Sequence, residues 1–380
     1  MSIRGSSKNS YIKMLFREIG NKLKKAARNR EQGWYTSHMA AASRAIAERI
    51  PLVDFVIEVR DARLPLSSEC QLLINYSDSS RRIVVMNKMD LANRSQLKEW
   101  ISYFEERNCV SYALNSHNTD NVKQFLNFLQ AQIRRLKSIE SGSTITMMLI
   151  GIPNVGKSAI AKSLHHIGRI SALEKGKLKH VKVSPHPGET KDISSFKIGS
   201  HPNIYVLDTP GIFPPQILDA EIYFKLALTG AIQAGLIGYR ELAQYFLAVL
   251  NLSDEYKKWT MSPTHEKGKS ITDNGAESSR DEHQGVEEKK QHLTDHTQDF
   301  IVHDVRRKLF ETISSFDGDM QNQADLEKLI ELQFAALTES FHLPTELGDD
   351  VHYKIATKLL NLYRTGRLGH YSLDPLTLRQ

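Results

Sequence analysis

The 380-residue sequence is poor in cysteine and has no long apolar run, and each shortage excludes a class of protein. Cys70 and Cys109 are its only cysteines, too few for a disulfide framework or for a cysteine-rich zinc site. The longest apolar runs, such as 246–250, are far too short to cross a bilayer, so we expect no stable membrane insertion. The remaining composition, 40% hydrophobic and 25% charged residues, is typical of a soluble globular protein.

The first 32 residues, by contrast, are poor in acidic side chains. Glu18 and Glu31 are the only acids among many lysines and arginines, and apolar residues recur at helical spacing from Ile12 to Leu23. A basic, acid-poor amphipathic helix is typical of a transit peptide and favours the mitochondrial matrix, with the chloroplast or the cytoplasm as alternatives. The other interpretation is a helix that stays in the mature protein and binds nucleic acid.

The rest of the chain divides into an α/β part and a helical part. In residues 33–222 short apolar runs alternate with helical patterns, which predicts a six-stranded, mostly parallel sheet with one antiparallel strand. In residues 223–380 the strand signals vanish, and five amphipathic patterns predict a smaller all-helical C-terminal domain. Residues 257–298 are nearly free of apolar side chains, so we expect a disordered insertion there. Residues 169–182 are basic and predict a loop.

A phosphate-binding loop of the form GxxxxGK[ST] occupies residues 151–158, between an apolar strand and a helical pattern. Backbone N–H groups of such a loop bind the α- and β-phosphates of a nucleotide, its lysine reaches the β- and γ-phosphates, and its serine hydroxyl ligates Mg²⁺. The predicted nucleotide-binding residues of this segment are Asn154, Val155, Gly156, Lys157, Ser158 and Ala159.

A second segment, Asn87 to Asp90, has the side chains that read guanine. The Asp90 carboxylate can accept from N1–H and the exocyclic amine of the base, Asn87 can contact the opposite edge, and the Lys88 stem can lie along the ring. After the next strand, Asn115 and Ser116 fall where a loop supports the guanine O6, although a simple strand-end turn is the alternative. In an ordinary GTPase the base-reading segment follows the phosphate loop. Here it precedes the loop, which predicts a circularly permuted GTPase that binds GTP and GDP.

Two further segments predict the Mg²⁺ and γ-phosphate contacts. Asp208 ends an apolar strand and can ligate Mg²⁺, and the N–H of Gly211 can meet the γ-phosphate, although strand-to-turn segments often contain both residue types. Thr190 lies between the phosphate loop and Asp208, where a threonine closes over Mg²⁺. We therefore expect Ser158, Thr190 and Asp208 at the metal, and Lys157, Thr190 and Gly211 in catalysis.

One catalytic group of ordinary GTPases is missing from the sequence. Ras-type enzymes have a glutamine after Asp-x-x-Gly that orients the attacking water. The residue at that position is Ile212, which can neither donate nor accept a hydrogen bond. We therefore expect slow intrinsic hydrolysis, or another group that positions the water.

Together these residues resemble the circularly permuted GTPases of ribosome assembly, the YlqF/RbgA family. Residues 61–67, DARLPLS, match its DARxPLS signature, and Trp34 with His38-Met39-Ala40 matches its WFPGHMA opening, from which residues 35–37 depart. Residues 226–232 and 364–369 also match, and the resemblance covers about 33–252 and 300–375. With the basic N-terminal segment, the nearest members would be the mitochondrial ribosome-associated ones, including the plant DAR GTPases.

The resemblance implies a GTPase that binds the mitochondrial large ribosomal subunit and its rRNA in the GTP state and leaves after hydrolysis. It further implies that His38 replaces the missing glutamine and that Asn154 helps to hold a K⁺ ion. We expect a monomer whose basic segments contact rRNA phosphates. Two other functions remain open: an RNA-binding scaffold with negligible GTP turnover, and a regulatory GTPase with no link to the ribosome.

Overall fold

A computed structural model describes most of the chain. The described residues are 9–29, 37–74, 76, 79–136, 144–174, 193–200, 202–214, 219–233, 237–261, 296–343 and 349–376. Thr190, the greater part of the predicted loop 169–182 and most of the predicted insertion 257–298 lie outside these residues.

Six strands form a single sheet in the order β3-β2-β1-β4-β6-β5. They are β1 (Phe55–Asp61), β2 (Arg82–Asn87), β3 (Val110–Leu114), β4 (Thr144–Ile150), β5 (Ser194–Ser200) and β6 (Asn203–Asp208). β1 to β4 and β6 pair in parallel, and β5 pairs antiparallel with β6 at one edge. The predicted α/β fold class, with its six-stranded and mostly parallel sheet, is confirmed. Because parallel strands end at the same edge of a sheet, their carboxyl ends place the following loops side by side.

Helices cover both faces of the sheet, which is why every residue of the central strand β1 is buried. They are α2 (Ser37–Arg49), α3 (Arg94–Glu105), α4 (Thr119–Leu136) and α5 (Lys157–Glu174). Alternate residues of β2 belong to different parts of the core: Ile83 and Val85 lie in the cluster that includes α4 and α5, whereas Val84 and Met86 contact α3. α5 continues to Glu174, so the start of the predicted loop 169–182 is helical instead.

Within the described residues, five α-helices form the C-terminal region, as predicted. They are α6 (Ala220–Leu228), α7 (Tyr239–Asn251), α8 (His296–Ser314), α9 (Gln323–Ser340) and α10 (Asp349–Arg364). α6 is shorter than its apolar pattern, which ran to residue 235, because the chain turns at Gly230 with a φ of 78°. The ends of the predicted insertion are ordered: residues 257–261 belong to the 3-10 helix Glu255–Met261, and residues 296–298 open α8.

The N-terminal segment forms the predicted amphipathic helix, α1 (Ser10–Asn29), but this helix packs into the C-terminal domain. Its buried side chains are Tyr11, Ile12, Leu15, Ile19 and Leu23. The Phe16 ring lies 5.4 Å from that of Phe224 in α6 and 5.7 Å from that of Tyr245 in α7, measured between centroids. The segment is therefore part of a six-helix unit, and its targeting role stays a prediction. Within the described ranges, no helix is both long and apolar enough to cross a membrane.

Candidate nucleotide-binding site

The phosphate loop joins β4 to α5, and two of its glycines are required by sterics. A Cβ on Gly151 would lie 2.4 Å from the Val59 carbonyl oxygen, and one on Gly156 would lie 2.2 Å from the Asn87 amide nitrogen. Gly156 also has a φ of 98°, in the region that favours glycine. The loop can therefore approach its neighbours closely enough to turn its N–H groups towards a ligand at the start of α5, where anions bind favourably.

Lys157 is buried beneath this loop. Its Nζ donates to the carbonyl oxygens of Gly151, at 3.0 Å, and Ile152, at 2.8 Å. An ammonium group has three N–H donors, so one remains for a phosphate oxygen. Burial lowers the pKa of Lys157 to about 8, although attraction to the Asp208 carboxylate opposes this change. The loop's own carbonyls thus hold the lysine in position before any ligand binds.

Asn87 connects the three loops that surround the site. Its Nδ2 donates to the Val155 carbonyl at 2.8 Å, and its Oδ1 accepts from the Ser116 N–H at 3.2 Å. The side chain is buried, so both ends of its amide are engaged within the protein. The structure thus uses Asn87 to join the loops, and its contact with the edge of the base stays a prediction.

Lys88 and Asp90 lie beside one cavity at the base-reading end of the site. Lys88 has a left-handed backbone, with a φ of 61°, and its Nζ donates to the Asn154 carbonyl at 2.7 Å. The same Nζ pairs with Asp61 at 3.2 Å. These two contacts hold the lysine stem along the cavity wall, as a base-reading lysine requires.

Six of the fourteen predicted nucleotide-binding residues come together around this cavity. Those that line it are Asn87, Lys88, Asp90, Ser116, Gly156 and Ala159. Asn115 does not line it, because its Oδ1 accepts from the His117 N–H at 2.9 Å in a local turn. The cavity also has lining residues that the sequence reasoning missed: Arg63, Leu91, His117, Thr229 and Arg364. Arg63, Thr229 and Arg364 had a signal, since they belong to the three segments that match the family, residues 61–67, 226–232 and 364–369.

The predicted Mg²⁺ side of the site lies at the ends of β6 and the phosphate loop. Asp208 is 3% exposed and pairs in register with Leu149 of β4. A Cβ on Gly211 would lie 2.5 Å from the Cα of Pro153, so this glycine passes directly against the phosphate loop. A carboxylate at Asp208 and a hydroxyl at Ser158 are hard oxygen ligands, and this donor set fits Mg²⁺. Thr190 lies outside the described residues.

Ile212 is buried, which explains why an apolar residue stands there. It packs in a cluster with Ile46 of α2 and Met148 of β4. The next residue, Phe213, donates its N–H to the sulfur of Met39 at 3.4 Å. His38 is exposed at the start of α2, one residue before this contact. The structure thus brings the beginning of α2 beside the loop that follows Asp208.

The DARxPLS signature connects the base-reading segment to the C-terminal domain. The Asp61 carboxylate accepts from Arg63 Nε at 2.9 Å and from its Nη2 at 2.8 Å. Burial would raise the pKa of Asp61, but Arg63 and Lys88 outweigh it and hold the pKa well below its usual range. Arg63 Nη2 also donates to the Thr229 carbonyl at 3.4 Å. The N–H groups of Leu66 and Ser67 each donate to Asp374 at 2.8 Å, which attaches the C-terminal tail.

A phosphate loop, a guanine-reading segment and an Asp-x-x-Gly segment at the ends of parallel strands define a P-loop GTP-binding protein, here with a permuted order of motifs. Comparisons with known proteins agree. A family profile described as "50S ribosome-binding GTPase" matches residues 146–271. "DAR GTPase 2, mitochondrial" of Arabidopsis thaliana is 60% identical over 361 residues, which are 94% of this chain and 94% of that protein.

More distant relatives extend the same group. "Short integuments 2, mitochondrial" of Arabidopsis thaliana is 39% identical over 90% of this chain and 88% of its own length. "Ribosome biogenesis GTPase A" of Priestia megaterium is 32% identical over 57% of this chain and 73% of its own length. The chain belongs to the DAR GTPase family and is a GTPase, which confirms the resemblance found in the sequence.

Proposed function

We propose that this GTPase serves the assembly of the mitochondrial large ribosomal subunit. It binds the pre-subunit and its rRNA in the GTP state and is released on hydrolysis. The observation that supports this proposal is that Asp90 and Gly156 of the phosphate loop line one cavity, to which both domains contribute residues. The names of the relatives support the ribosomal target: one is a ribosome biogenesis GTPase, and two are mitochondrial proteins.

Each side chain of the site then has a part in binding and turnover. Asp90 receives the two N–H donors of guanine, and Lys157 uses its third N–H on the β- and γ-phosphates. Ser158 and Asp208, together with Thr190, would hold Mg²⁺, which neutralises phosphate charge when bound. The Gly211 N–H contacts the γ-phosphate. Without a glutamine at position 212, we expect a slow intrinsic rate that the ribosomal subunit raises.

Two groups are proposed for the missing catalytic function. His38 lies beside the Met39–Phe213 contact and can reach the loop that follows Asp208. Asn154 can contribute its amide oxygen to a K⁺ ion, because its Nδ2 is already occupied by the Gly230 carbonyl at 2.9 Å. A cation there would add positive charge where negative charge develops during phosphoryl transfer.

We assign the rRNA contact to α1 rather than to the basic run 306–308. Arg307 pairs with Glu311 at 3.2 Å and Lys308 pairs with Glu339 at 2.8 Å, so acids partly neutralise that run. α1 buries its apolar face in the C-terminal domain and leaves Lys13, Arg17 and Lys22 exposed. Exposed cations in a row suit the phosphates of an RNA backbone.

Sedimentation with isolated mitochondrial large subunits tests the proposal. The full chain should co-sediment when loaded with a non-hydrolysable GTP analogue and should stay in the supernatant with GDP. Turnover should rise when the subunits and K⁺ are added. Equal co-sedimentation in both nucleotide states would contradict a GTP-dependent cycle, and turnover that never rises above background would favour the RNA-binding scaffold. Full stimulation without any subunit would favour a regulatory GTPase.

The proposed location is the mitochondrial matrix. Whether the N-terminal segment is removed after import can be tested, because α1 packs into the C-terminal domain. Cleavage after α1 would remove five apolar side chains from the core. Fusion of residues 1–30 to a fluorescent reporter should direct it to mitochondria, and diffuse fluorescence would contradict import by this segment. Mass spectrometry of the mature N-terminus then shows whether α1 is kept. We expect it to be kept, because losing this buried face would cost several kcal/mol, at about 1.5–3 kcal/mol for each large side chain.

A further inference from the structure

The cavity beside Asp90 has a volume of about 270 Å³ and is walled by both domains. Asp90, Lys88 and Leu91 belong to the loop after β2, whereas Thr229 and Arg364 belong to the C-terminal domain. The only cationic side chain that the C-terminal domain contributes to this lining is Arg364, the last residue of α10.

The Arg364 guanidinium is fixed by the end of α6. Its Nε donates to the Leu228 carbonyl at 3.0 Å, and its Nη2 donates to the Ala227 carbonyl at 2.8 Å. The last carbonyls of a helix lack partners within the helix, so the arginine satisfies them. Of the residues described, no carboxylate pairs with Arg364, and burial lowers its pKa without removing its charge.

The surroundings of Arg364 place it next to the base-reading loop. A Cβ on Gly366, two residues later, would lie 2.8 Å from the side chain of Leu91, which follows Asp90. A Cβ on Gly230 would lie 3.4 Å from Arg364 Nε. Because Gly230 has no side chain, the guanidinium can lie close to the backbone of this turn. The end of α10 therefore rests on the loop that reads guanine.

We propose that Arg364 is a nucleotide-binding residue, whose guanidinium contacts the guanine base from the wall that the C-terminal domain provides. A planar cation stacks favourably on a purine ring, and its position is already fixed by the α6 carbonyls. Base binding then bridges the two domains. The Asn154–Gly230 and Arg63–Thr229 hydrogen bonds hold the same turn of the C-terminal domain against the phosphate loop and the DARxPLS segment.

Two substitutions and two ligands test this role in the full chain. Arg364→Ala should weaken binding of a fluorescent GDP about three- to thirtyfold, the range for loss of a cation–π contact. Pyrophosphate, which has no base, should bind as it does to the wild type in calorimetry. Arg364→Lys keeps the charge and can donate to one α6 carbonyl, but it lacks the planar group. We therefore expect it to lose nearly as much GDP affinity as Arg364→Ala.

Arg240→Ala is the matched control, because it also removes an arginine from the C-terminal domain. Arg240 pairs with Glu331 at 3.2 Å on the exposed surface, and its loss should change neither affinity. Unchanged GDP affinity in Arg364→Ala would overturn the proposal. An equal loss of GDP and pyrophosphate affinity would assign Arg364 a purely structural role and would also overturn it. If Asp90→Asn left GDP affinity unchanged in the same assay, the assignment of this cavity as the guanine pocket would be wrong, whatever the result for Arg364.

Discussion

The two ends of the nucleotide site are built differently. At the phosphate end, Lys157, Asp208 and Gly211 all follow strands of the α/β domain, and the lysine is held by carbonyls of its own loop. At the base end, the α/β domain supplies Asp90 and Lys88, but the C-terminal domain supplies Thr229 and Arg364. The residues proposed for the phosphate end therefore belong to one domain, whereas both domains line the cavity at the proposed base end.

This difference gives the C-terminal domain two connections to the nucleotide. The loop after Asp208 leads along the chain towards α6, so a change at the γ-phosphate can be passed to the helical domain. The second connection runs through the end of α10, which lies at the base end, and through the neighbouring turn, where the Gly230 carbonyl accepts from Asn154 of the phosphate loop. We infer that the γ-phosphate governs the difference between GTP and GDP, while the base adds a contact to the hydrogen bonds that already hold the two domains together.

The largest effect is expected from a change at the phosphate end. Lys157→Ala or Ser158→Ala should abolish Mg²⁺-dependent nucleotide binding or turnover without unfolding the chain, because both side chains act on the ligand. Phosphate release and a thermal melt together check this. Lys162→Ala, an exposed lysine on the same helix, is the control and should behave as the wild type. Normal turnover by both site variants would refute the phosphate-loop assignment.

His38→Ala should lower ribosome-stimulated hydrolysis by about 10²–10⁴-fold, the usual contribution of a positioned acid–base or water-orienting group. GTP affinity should stay nearly constant, since the group acts in the transition state. Single-turnover kinetics with saturating large subunits measure the effect, and Arg44→Ala, an exposed change on the same helix, is the control. Full stimulated turnover would leave His38 structural and would move attention to K⁺ near Asn154 or to the ribosome.

Asp90→Asn changes the base end and should act on binding alone. Loss of two charge-assisted hydrogen bonds should weaken GTP binding by about ten- to several-hundredfold. Preference should move towards xanthosine triphosphate, whose exocyclic oxygen cannot donate. Fluorescence titration with both nucleotides measures the change. A variant that keeps its affinity for GTP would show that guanine is read elsewhere.

The smallest effect is a pH dependence at the phosphate end. Because the pKa of Lys157 is lowered to about 8, the free protein loses this charge as the pH rises through 8. Phosphate binding favours the charged form, so GTP affinity should fall above pH 8, by at most about tenfold per pH unit, with uptake of a proton. Stability of the nucleotide-free protein should rise in the same window, since the unfolded chain binds the extra proton. Asp90→Asn should bind GTP more weakly but show the same pH dependence. A GTP affinity that does not change with pH would contradict the lowered pKa of Lys157.

The phosphate end could be predicted from the sequence because its demands are local. Gly151, Gly156 and Lys157 stand at fixed spacing, and each position is dictated by backbone sterics or by the reach of one side chain. The parallel sheet could also be predicted, because the apolar runs that form its strands are local features of the sequence. The links from Asn87 to Val155 and Ser116 could not be predicted, because these two residues come from loops far away in the chain.

The contacts between domains could not be predicted, because periodicity shows that a helix buries a face but not what covers it. The apolar residues of α1 indicated an amphipathic helix, yet nothing in their spacing pointed to α6, α7 and α9 as its partners. Arg364 likewise stands in the family-matching segment 364–369, and only the fold places it at the same cavity as Asp90. Such contacts join residues that are hundreds of positions apart.

Hydrogen–deuterium exchange of the full chain tests most directly whether the base end joins the domains. The exchange of residues 227–232 and 363–368 would be compared with no ligand, with Mg²⁺–pyrophosphate and with Mg²⁺–GDP, all at saturation. We expect pyrophosphate to protect the phosphate loop only, and GDP to protect both C-terminal segments as well. Equal protection of these segments by pyrophosphate, or no protection by GDP, would contradict a base pocket shared between the two domains.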